Sequence, residues 1–374
     1  MQKIKTFILA VATLTGTIIG VGFFSLPYIT LQVGVWVMLA YFLALGSISI
    51  LLHVIFGKVA LKTPDFLRFP GYVKTHLGES AGKLALATTI SGLFGSILAY
   101  LIVGGNFLSA LLSPIFGGGE IIYVLLYFFT GAFLIFFGIK IISKIELWGV
   151  IMFFIILIVF FIKGFSQIKL VNLFPAVDHL SMGLGHFFLP YGAILFSLSG
   201  AGLIPEVEEM LGGRKNLLKK VIIASLLISI LVYLSFVFLI LGISGASTAQ
   251  SSLTGLRDFL GKGMFSLGLF LGILTTFTSF IALGLNLKNV FHYDLKVGKN
   301  LAWLITCFVP LILFLAGIKN FISVISFVGG VMLGIDGILI LLMYGKISKK
   351  KFLIYPLSLV LLGGIIYEII YFLR

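Results

Sequence analysis

Charged residues are scarce in this chain of 374 residues. Asp, Glu, Lys and Arg make up only 10% of it, whereas hydrophobic residues make up 60% and the mean hydropathy is +1.23. Water-soluble domains carry far more charge, and apolar runs of about 20 residues, long enough to cross a bilayer as a helix, recur along this sequence. We therefore predict an all-α polytopic membrane protein whose partner is the lipid bilayer.

Cysteine and catalytic motifs are equally scarce. Cys307 is the one cysteine and lies inside an apolar run, which excludes a disulfide framework and leaves thiolate metal sites unsupported. The sequence has no phosphate-binding loop, no zinc-protease motif and no nucleophile-elbow motif. A membrane enzyme would need His, Asp or Glu residues that converge at one depth, and the sequence suggests no such set. We expect no enzyme, no cofactor and no metal other than a coupling ion, Na⁺ or H⁺.

Acidic residues number 12 against 26 Lys and Arg, which gives a net charge of +14. The basic residues sit in short loops between apolar runs, so they indicate membrane orientation and not a nucleic acid partner. Most of them fall in alternate loops, starting with the N-terminal segment. The positive-inside rule then predicts a plasma-membrane protein with a cytoplasmic N-terminus and an outside C-terminus.

The apolar runs predict eleven transmembrane helices. Their expected bounds are 6–30, 34–57, 84–112, 120–139, 145–165, 183–210, 217–243, 263–290, 299–317, 320–345 and 352–373. Two connectors, residues 58–83 and 244–262, are longer than the others. Each is either a short gate helix or an interfacial loop.

Glycines interrupt the first and the sixth of these spans. Residues 15–27 read TGTIIGVGFFSLP, and residues 196–206 read FSLSGAGLIPE. A helix broken at membrane depth leaves backbone groups that lipid cannot satisfy, so breaks persist where they line a protein cavity or bind a ligand. Two breaks at matching places in two halves are typical of secondary transporters.

The two breaks also suggest an internal repeat, in which Gly20 pairs with Gly200. Five spans per repeat is an odd number, so the second copy would be inverted in the membrane. We predict one transporter domain over 1–374 that consists of a first repeat over 6–165, an inverted repeat over 183–345 and an extra helix over 352–373.

The first break offers backbone donors and acceptors to a ligand. Amides at the start of its second half-helix suit a substrate carboxylate, and carbonyls that end its first half-helix suit a cation. The alternative is that the glycines only allow close helix packing. The predicted substrate contacts here are Thr17, Ile18, Gly20, Val21 and Gly22.

The second break offers hydroxyls and carbonyls to a substrate ammonium. The predicted contacts are Phe196, Ser197, Ser199 and Gly200. Phe196 is either an aromatic lid or an ordinary packing residue. Small residues around both breaks leave room for a large substrate, so aromatic and branched amino acids are plausible.

Several of these stretches resemble a known superfamily. Residues 16–27 resemble the first-helix motif of the amino acid–polyamine–organocation superfamily. Residues 190–200, PYGAILFSLSG, and 204–209, IPEVEE, are similar to the sixth helix of amino acid/auxin permeases, and residues 99–106, AYLIVGGN, resemble their third helix. The bacterial aromatic amino acid permeases share this pattern. The resemblance covers the first ten spans and implies five-plus-five inverted repeats and ion-coupled amino acid uptake.

The resemblance also implies roles for hydroxyl groups. It brings the Tyr100 hydroxyl to the substrate carboxylate; the alternative is a partner on a neighbouring helix. It further implies a Na⁺ site, and helix spacing puts the hydroxyls concerned on one face, where oxygen ligands suit a hard cation. The alternative is that these hydroxyls bond to their own helix. The residues of this site are Thr275, Thr278 and Ser279, with the carbonyls of Gly16 and Ile19.

Ionisable residues inside predicted spans are functional candidates. Asp336, near the middle of the tenth span, is either a proton carrier or the partner of a buried polar group. His53 and His186 lie nearer the predicted membrane boundaries, where a satisfied interfacial histidine is expected. Some proton-coupled relatives use a Lys in the middle of the fifth span, which this chain lacks, so Na⁺ is favoured.

Charged residues at the cytoplasmic end of the sixth span are gate candidates. Glu206 and Glu209 could form salt bridges with basic residues of the 58–83 connector, such as Arg68. Ordinary solvated charges are the alternative.

Together these features predict a secondary transporter that imports an amino acid by alternating access, with Na⁺ or with H⁺ through Asp336. A competing hypothesis is a transporter-like nutrient receptor of the germination type, which binds an amino acid without moving it. A channel is disfavoured because broken helices suit occluded binding. The sequence is compatible with a monomer.

Overall fold

The chain was analysed as a computed structural model that describes residues 2–138, 142–174, 187–212, 214–257, 259, 261–348, 352 and 354–372. In these residues the regular secondary structure is helical, apart from one isolated β-bridge between Ala249 and Ser252. The prediction of an all-helical polytopic membrane fold is therefore confirmed.

The described α-helices are numbered in chain order. They are α1 (Gln2–Ile18), α2 (Leu26–Val33), α3 (Val35–Lys62), α4 (Phe69–Leu77), α5 (Glu79–Phe116), α6 (Glu120–Phe137), α7 (Ile142–Gly164), α8 (Pro190–Ser197), α9 (Ile204–Leu211), α10 (Leu218–Ser244), α11 (Gly261–Asn289), α12 (Lys299–Leu315), α13 (Phe321–Phe327), α14 (Leu333–Ile347) and α15 (Ile354–Phe372).

Seven described helices are long and apolar enough to cross a membrane, and one bent pair makes an eighth candidate. The seven are α3, α5, α6, α10, α11, the continuous α13–α14 and α15. The helix over 151–167 and α12 are apolar but shorter. These spans lie within a few residues of the predicted ones, whereas the total of eleven and the inverted repeat stay predictions.

Both predicted breaks are present. Helix α1 ends at Ile18, a 3₁₀ segment Val21–Ser25 follows, and the chain bends by 52° on its way into α2. Helix α8 ends at Ser197, and α9 begins only at Ile204, after a 3₁₀ turn. The predicted start of the sixth span, 183–186, lies outside the described residues, as does His186.

The two longer connectors differ from each other. The first contains α4, which is joined to α5 by Gly78 at a φ of +93°, a conformation that glycine adopts without strain. This turn lets α5 begin at Glu79, ahead of the predicted start. The second connector forms 3₁₀ turns, and the hydroxyl of Ser252 within it donates to the Phe24 carbonyl just beyond the first break.

Glycines bring the central helices close together, as van der Waals packing between membrane helices requires. A Cβ added to Gly272 of α11 would meet the Phe107 ring of α5 at 2.6 Å, and one added to Gly268 would meet Phe160 of α7 at 2.5 Å. Helices α5 and α11 thus pack against each other at the centre of the fold, beside the first break.

Candidate functional site

The first break exposes backbone groups, as predicted. The Ile19 amide donates to the Thr15 carbonyl at 2.9 Å and the Phe23 amide to the Gly20 carbonyl at 3.2 Å. Within the described chain, the amides of Gly20 and Gly22 reach no backbone acceptor, and no backbone amide donates to the Ile19 carbonyl. The break therefore presents both donors and acceptors without using them internally.

Tyr100 on α5 contacts the break directly. The Val21 amide donates to its hydroxyl at 3.0 Å, and the tyrosine is buried. A Cβ at Gly20 would collide with the same hydroxyl, so glycine is required there for the close approach of α5. The hydroxyl of Tyr100 thus has a partner on another helical segment, as one of the two alternatives expected, and that partner is the Val21 backbone amide.

Tyr233 on α10 links the two breaks. Its fully buried hydroxyl lies 2.8 Å from the Ile18 carbonyl oxygen and 2.7 Å from the Ser197 carbonyl oxygen. A phenolic hydroxyl has one proton, which these two carbonyls share. The sequence analysis overlooked Tyr233, although a tyrosine inside an apolar span needs a hydrogen-bond partner just as Tyr100 does.

His53 on α3 satisfies the second break. The Gly200 amide donates to His53 Nε2 at 3.1 Å, and Nδ1 lies 2.7 Å from the Ser49 carbonyl oxygen. Since Nε2 accepts, the ring proton belongs on Nδ1, where it can bond to Ser49. The expectation of an interfacial histidine is corrected here: His53 is buried and bonded to the break, because its span approaches α8 closely.

A cavity opens on one side of the first break. It contains about 520 Å³ of space free of atoms, part of it open to solvent. Helices α1, α5, α7 and α11 and the 3₁₀ segment surround it. It is lined by Gly16, Ile19, Gly20, Val21, Phe23, Phe24, Tyr100, Phe153, Phe154, Thr275, Thr276, Thr278 and Ser279. The structure therefore brings together Tyr100, part of the first break and the whole predicted Na⁺ site.

The hydroxyl row on α11 also bonds to its own helix. Thr275 Oγ1 donates to the Leu271 carbonyl at 2.9 Å, and Thr278 Oγ1 donates to the Leu274 carbonyl at 3.1 Å. A hydrogen bond to the same helix does not exclude Na⁺ binding, because a hydroxyl that donates its proton keeps lone pairs for a cation. Gly16 and Ile19 line the same cavity, and their carbonyl oxygens have no backbone donor among the described residues.

The second break does not line this cavity. An added Cβ at Gly22 would meet Phe196 Cδ1 at 2.9 Å, and one at Gly200 would meet Ile18 Cγ1 at 2.6 Å. The two breaks pack on each other because both contact points are glycines. Ser199 is half-buried in the second break and likewise does not line the cavity.

Three predicted substrate contacts therefore have other roles in this conformation. The Ser197 hydroxyl donates to the Ala193 carbonyl at 2.7 Å, and the Thr17 hydroxyl donates to the Thr13 carbonyl at 3.1 Å on an exposed face of α1. Ile18 is buried against Gly200. The carbonyls of Phe196 and Gly200 already accept from the amides of Ser199 and Leu203.

A second, apolar cavity adjoins the first. It holds about 360 Å³ and shares Phe23, Phe24, Phe153 and Thr275 with it. Its other lining residues are Leu157, Phe160, Phe236, Leu253, Gly268, Leu271 and Gly272. Nothing in the sequence distinguishes Phe153 or Phe236 among the 38 phenylalanines.

The charged candidates have partners that the sequence did not identify. Arg68 pairs with Asp294 at 2.8 Å, just after α11, whereas Glu206 and Glu209 lie on the exposed face of α9. Arg68 thus forms its salt bridge with Asp294, and not with Glu206 or Glu209 as the sequence had predicted. Asp336 accepts a 2.6 Å hydrogen bond from Thr88 of α5, which is the buried polar partner considered as its alternative role.

Comparison with known sequences gives one family match. The model of the family described as transmembrane amino acid transporter protein matches residues 3–243. No curated protein sequence matches the chain.

Solved structures share the fold at low sequence identity. MhsT in complex with L-phenylalanine aligns with a TM-score of 0.62 and 16% identity, covering 98% of this chain and 97% of that one. A manganese transporter of Eremococcus coleocola, in complex with an aromatic bis-isothiourea substituted compound, aligns with a TM-score of 0.64 and 14% identity, covering 97% and 85%. The fold is therefore that of membrane transporters.

Tyr233→Phe tests the link between the two breaks. Loss of the hydroxyl leaves two buried carbonyls without their shared donor, so we expect a loss of about 1 kcal/mol, and up to about 2, in stability. Thermal unfolding in detergent measures it. Tyr355→Phe, at a tyrosine that is 69% exposed, is the matched control. Equal unfolding temperatures for Tyr233→Phe and the wild type would contradict this role.

Gly20→Ala and Tyr100→Phe test the contact of α5 with the first break. The backbone at Gly20 (φ −117°) suits alanine, so the cost of about 1–3 kcal/mol that we expect is a steric one. Tyr100→Phe removes the colliding oxygen and leaves the ring carbon at an ordinary 3.7 Å from the new Cβ. We combine both substitutions and measure thermal unfolding of the single and double variants as a double-mutant cycle. The double variant should be more stable than the sum of the two single effects predicts. Strict additivity would refute the contact.

Proposed function

Because this chain belongs to the transmembrane amino acid transporter family, we propose that it imports an amino acid by ion-coupled symport. One observation carries the proposal: a single cavity is lined by residues of the first break with open backbone groups, Gly16, Ile19 and Gly20, together with Tyr100 and the hydroxyl row of α11. Unsatisfied backbone groups at membrane depth persist where a ligand or an ion completes them.

The substrate carboxylate binds at the Gly20 amide, beside the Tyr100 hydroxyl, and reaches the Gly22 amide only after Gly22, which does not line the cavity here, separates from Phe196. This arrangement is supported by the lack of a backbone acceptor for either amide in the described chain and by the partial positive charge of a helix N-terminus. The carbonyls of Phe196, Ser197 and Gly200 already accept hydrogen bonds in this conformation. The substrate ammonium therefore reaches the carbonyls around Ser197–Gly200 only after α8 and α9 move away from α1.

An apolar or aromatic side chain suits the adjoining cavity, whose walls are mainly phenylalanine and leucine. The structurally similar MhsT was solved with L-phenylalanine, which agrees with this choice. A transition metal is a weaker candidate, although a manganese transporter shares the fold. The residues that line the cavity provide no carboxylate, imidazole or thiolate, the ligands that such metals prefer.

Na⁺ is the preferred coupling ion, bound by the carbonyls of Gly16 and Ile19 and the hydroxyls of Thr275, Thr278 and Ser279. All five residues line the cavity, and neutral oxygens suit a hard monovalent cation. H⁺ carried by Asp336 is the alternative.

Alternating access follows from movement of the broken helices against α5 and α11. In the proposed topology of eleven spans, with an inverted repeat and a cytoplasmic N-terminus in the plasma membrane, the Arg68–Asp294 pair lies on the cytoplasmic side and acts as a gate. Both side chains are partly exposed, 44% and 39%, so the pair is weak enough to open and close.

Uptake into proteoliposomes tests the transport function. With L-phenylalanine as the probe and either a Na⁺ gradient or a pH gradient imposed, we expect accumulation above the equilibrium level with the Na⁺ gradient. Accumulation with the pH gradient alone would assign coupling to H⁺. Binding of the probe without uptake or exchange under either gradient would refute transport and favour a nutrient receptor.

Thr278→Val and Ser279→Ala test the Na⁺ site. Each variant removes one ligand oxygen from the cavity, so we expect about tenfold weaker activation by Na⁺, the equivalent of about 1.4 kcal/mol. Thr130→Val is the matched control, because its hydroxyl lies on an exposed face of α6 and bonds to the Leu126 carbonyl. Activation curves of uptake against Na⁺ concentration measure the effect. Curves that coincide with the control would remove these residues from the site.

A further inference from the structure

The apolar cavity beside the first break extends between α7 and α11. Phe153 of α7 and Thr275 of α11 line both cavities, so they mark the end of the apolar cavity that adjoins the break. Phe160 and Gly268, which line the apolar cavity only, each lie seven residues from those two along the same helix. Seven residues correspond to about 10 Å of helix axis. The apolar cavity thus has a near end at the break and a far end at Phe160 and Gly268.

An aromatic ring that lies on a glycine closes the far end. Phe160 is buried, and a Cβ added to Gly268 would meet its ring carbon Cζ at 2.5 Å. The tip of the ring therefore rests on the backbone of α11, an approach that a side chain at residue 268 would prevent. Phe160 and Gly268 together form what we call the floor of the apolar cavity.

The walls between the floor and the break are apolar. They include Leu157, Phe236 and Leu271, and the side chain of Leu253 lies 3.2 Å from a Cβ added to Gly272. The wall carbonyls contributed by α7, α10 and α11 lie in continuous helices, where they accept hydrogen bonds from the same helix. These walls offer nothing to a polar group that reaches the floor.

Thr275 alone has a polar side chain among the described residues that line the apolar cavity. Its hydroxyl donates to the Leu271 carbonyl at 2.9 Å and could accept from a ligand. However, Thr275 is at the near end, about 10 Å along α11 from Gly268. A ligand group at the floor is therefore out of its reach.

The proposed substrate position directs a side chain toward this floor. Gly20 and Tyr100, which hold the carboxylate in the proposed function, line the first cavity together with Phe153 and Thr275. A side chain that passes Phe153 and Thr275 enters the apolar cavity, whose volume of about 360 Å³ is near the lower end for ligand pockets, roughly 300–1,000 Å³. The para position of a bound phenyl ring then points at the floor.

We propose that Phe160, held against Gly268, is a specificity-determining residue that selects an unsubstituted aromatic ring, so that the protein binds L-phenylalanine in preference to L-tyrosine. The para-hydroxyl of tyrosine would lose its hydration at the floor and gain no hydrogen bond there. This inference rests on the proposed function and narrows its substrate class. Apolar pockets discriminate against one added hydroxyl by at most about a hundredfold, so we expect L-tyrosine to bind about tenfold to a hundredfold more weakly.

Competition against radiolabelled L-phenylalanine on the purified protein tests the proposal. The competitors are L-phenylalanine, L-tyrosine and para-methyl-L-phenylalanine, whose methyl group occupies about the space of the hydroxyl but needs no hydrogen-bond partner. We expect the methyl compound to compete about as well as L-phenylalanine, and L-tyrosine to compete far less well. Equal competition by L-tyrosine would overturn the proposal. Equal weakness of L-tyrosine and the methyl compound would also overturn it, because the limit would then be size.

Two substitutions of Phe160 test the floor itself. Phe160→His brings ring nitrogens that can bond to the tyrosine hydroxyl, so the affinity for L-tyrosine relative to L-phenylalanine should rise about tenfold. Phe160→Leu removes the ring without adding a polar group and should leave L-tyrosine disfavoured. Phe66→His, at a phenylalanine that is 57% exposed in the first connector, is the matched control and should keep the wild-type ratio.

The ratio of the two affinities is independent of how much of each variant is folded, since both ligands report on the same binding-competent molecules. An unchanged ratio in Phe160→His would remove Phe160 from the specificity site. An equal rise of the ratio in Phe160→His and Phe160→Leu would refute the hydrogen-bonding argument.

The proposed function and this inference fail in different ways. If L-phenylalanine is bound and transported but L-tyrosine competes equally, the inference is wrong and transport stands. If the preference is observed but neither a Na⁺ nor a pH gradient drives uptake, transport is wrong and the role of Phe160 stands. Transport of another amino acid by a protein that binds no aromatic one would show that the apolar cavity does not hold the substrate side chain, which overturns the inference alone.

Discussion

Backbone groups that lipid cannot satisfy are the constraint on which this structure depends. Breaking helices at Ile18 and Ser197 frees amides and carbonyls, and each one left unpaired in an apolar medium costs several kcal/mol. Three side chains from three other helices meet part of this demand: Tyr100 accepts from Val21, Tyr233 shares its proton between both breaks, and His53 accepts from Gly200. Of the groups that remain open, the Gly20 amide and the Ile19 carbonyl belong to residues that line the cavity. The position of the candidate site thus follows from which backbone groups the protein leaves unsatisfied.

The glycines divide the first break into two sides with different roles. On one side, Gly22 and the segment around Ile18 pack directly on Phe196 and Gly200, where a side chain on either glycine would collide. On the other side, Gly16 and Ile19 line the cavity opposite the α11 hydroxyls. The same short segment therefore joins the two breaks mechanically and lines the cavity. In the proposed transport cycle, this arrangement couples the movement of α8 and α9 to occupancy of the cavity.

Much of the fold could be predicted from the sequence, because apolar run length and glycine interruption are local signals. The bounds of most spans and both breaks followed from them. The resemblance to a known superfamily, and not these local signals, pointed to the hydroxyl residues that line one cavity: Tyr100, Thr275, Thr278 and Ser279. The sequence could not show that the second break packs against the far side of α1, since that depends on the rotation of both helices. The sequence also could not show that Arg68 pairs with Asp294, because the two residues are distant in the chain and only the fold brings them together. Tyr233 falls under the same rule as Tyr100, that a polar residue buried inside a span needs a hydrogen-bond partner, so the sequence alone was enough to single it out.

The Tyr233 hydroxyl shows how such a structure can be both assembled and mobile. Its shared hydrogen bond is worth about 1 kcal/mol net in a membrane helix bundle, because other partners recover most of the several kcal/mol that a wholly unpaired carbonyl would cost. A two-state transition populates its minor state usefully when the states differ by a few kcal/mol. The breaks can therefore separate if water or substrate groups replace the hydroxyl at the Ile18 and Ser197 carbonyls. Separation without such a replacement is disfavoured, and in the proposed transport cycle this asymmetry favours movement of a loaded site over movement of an unloaded one.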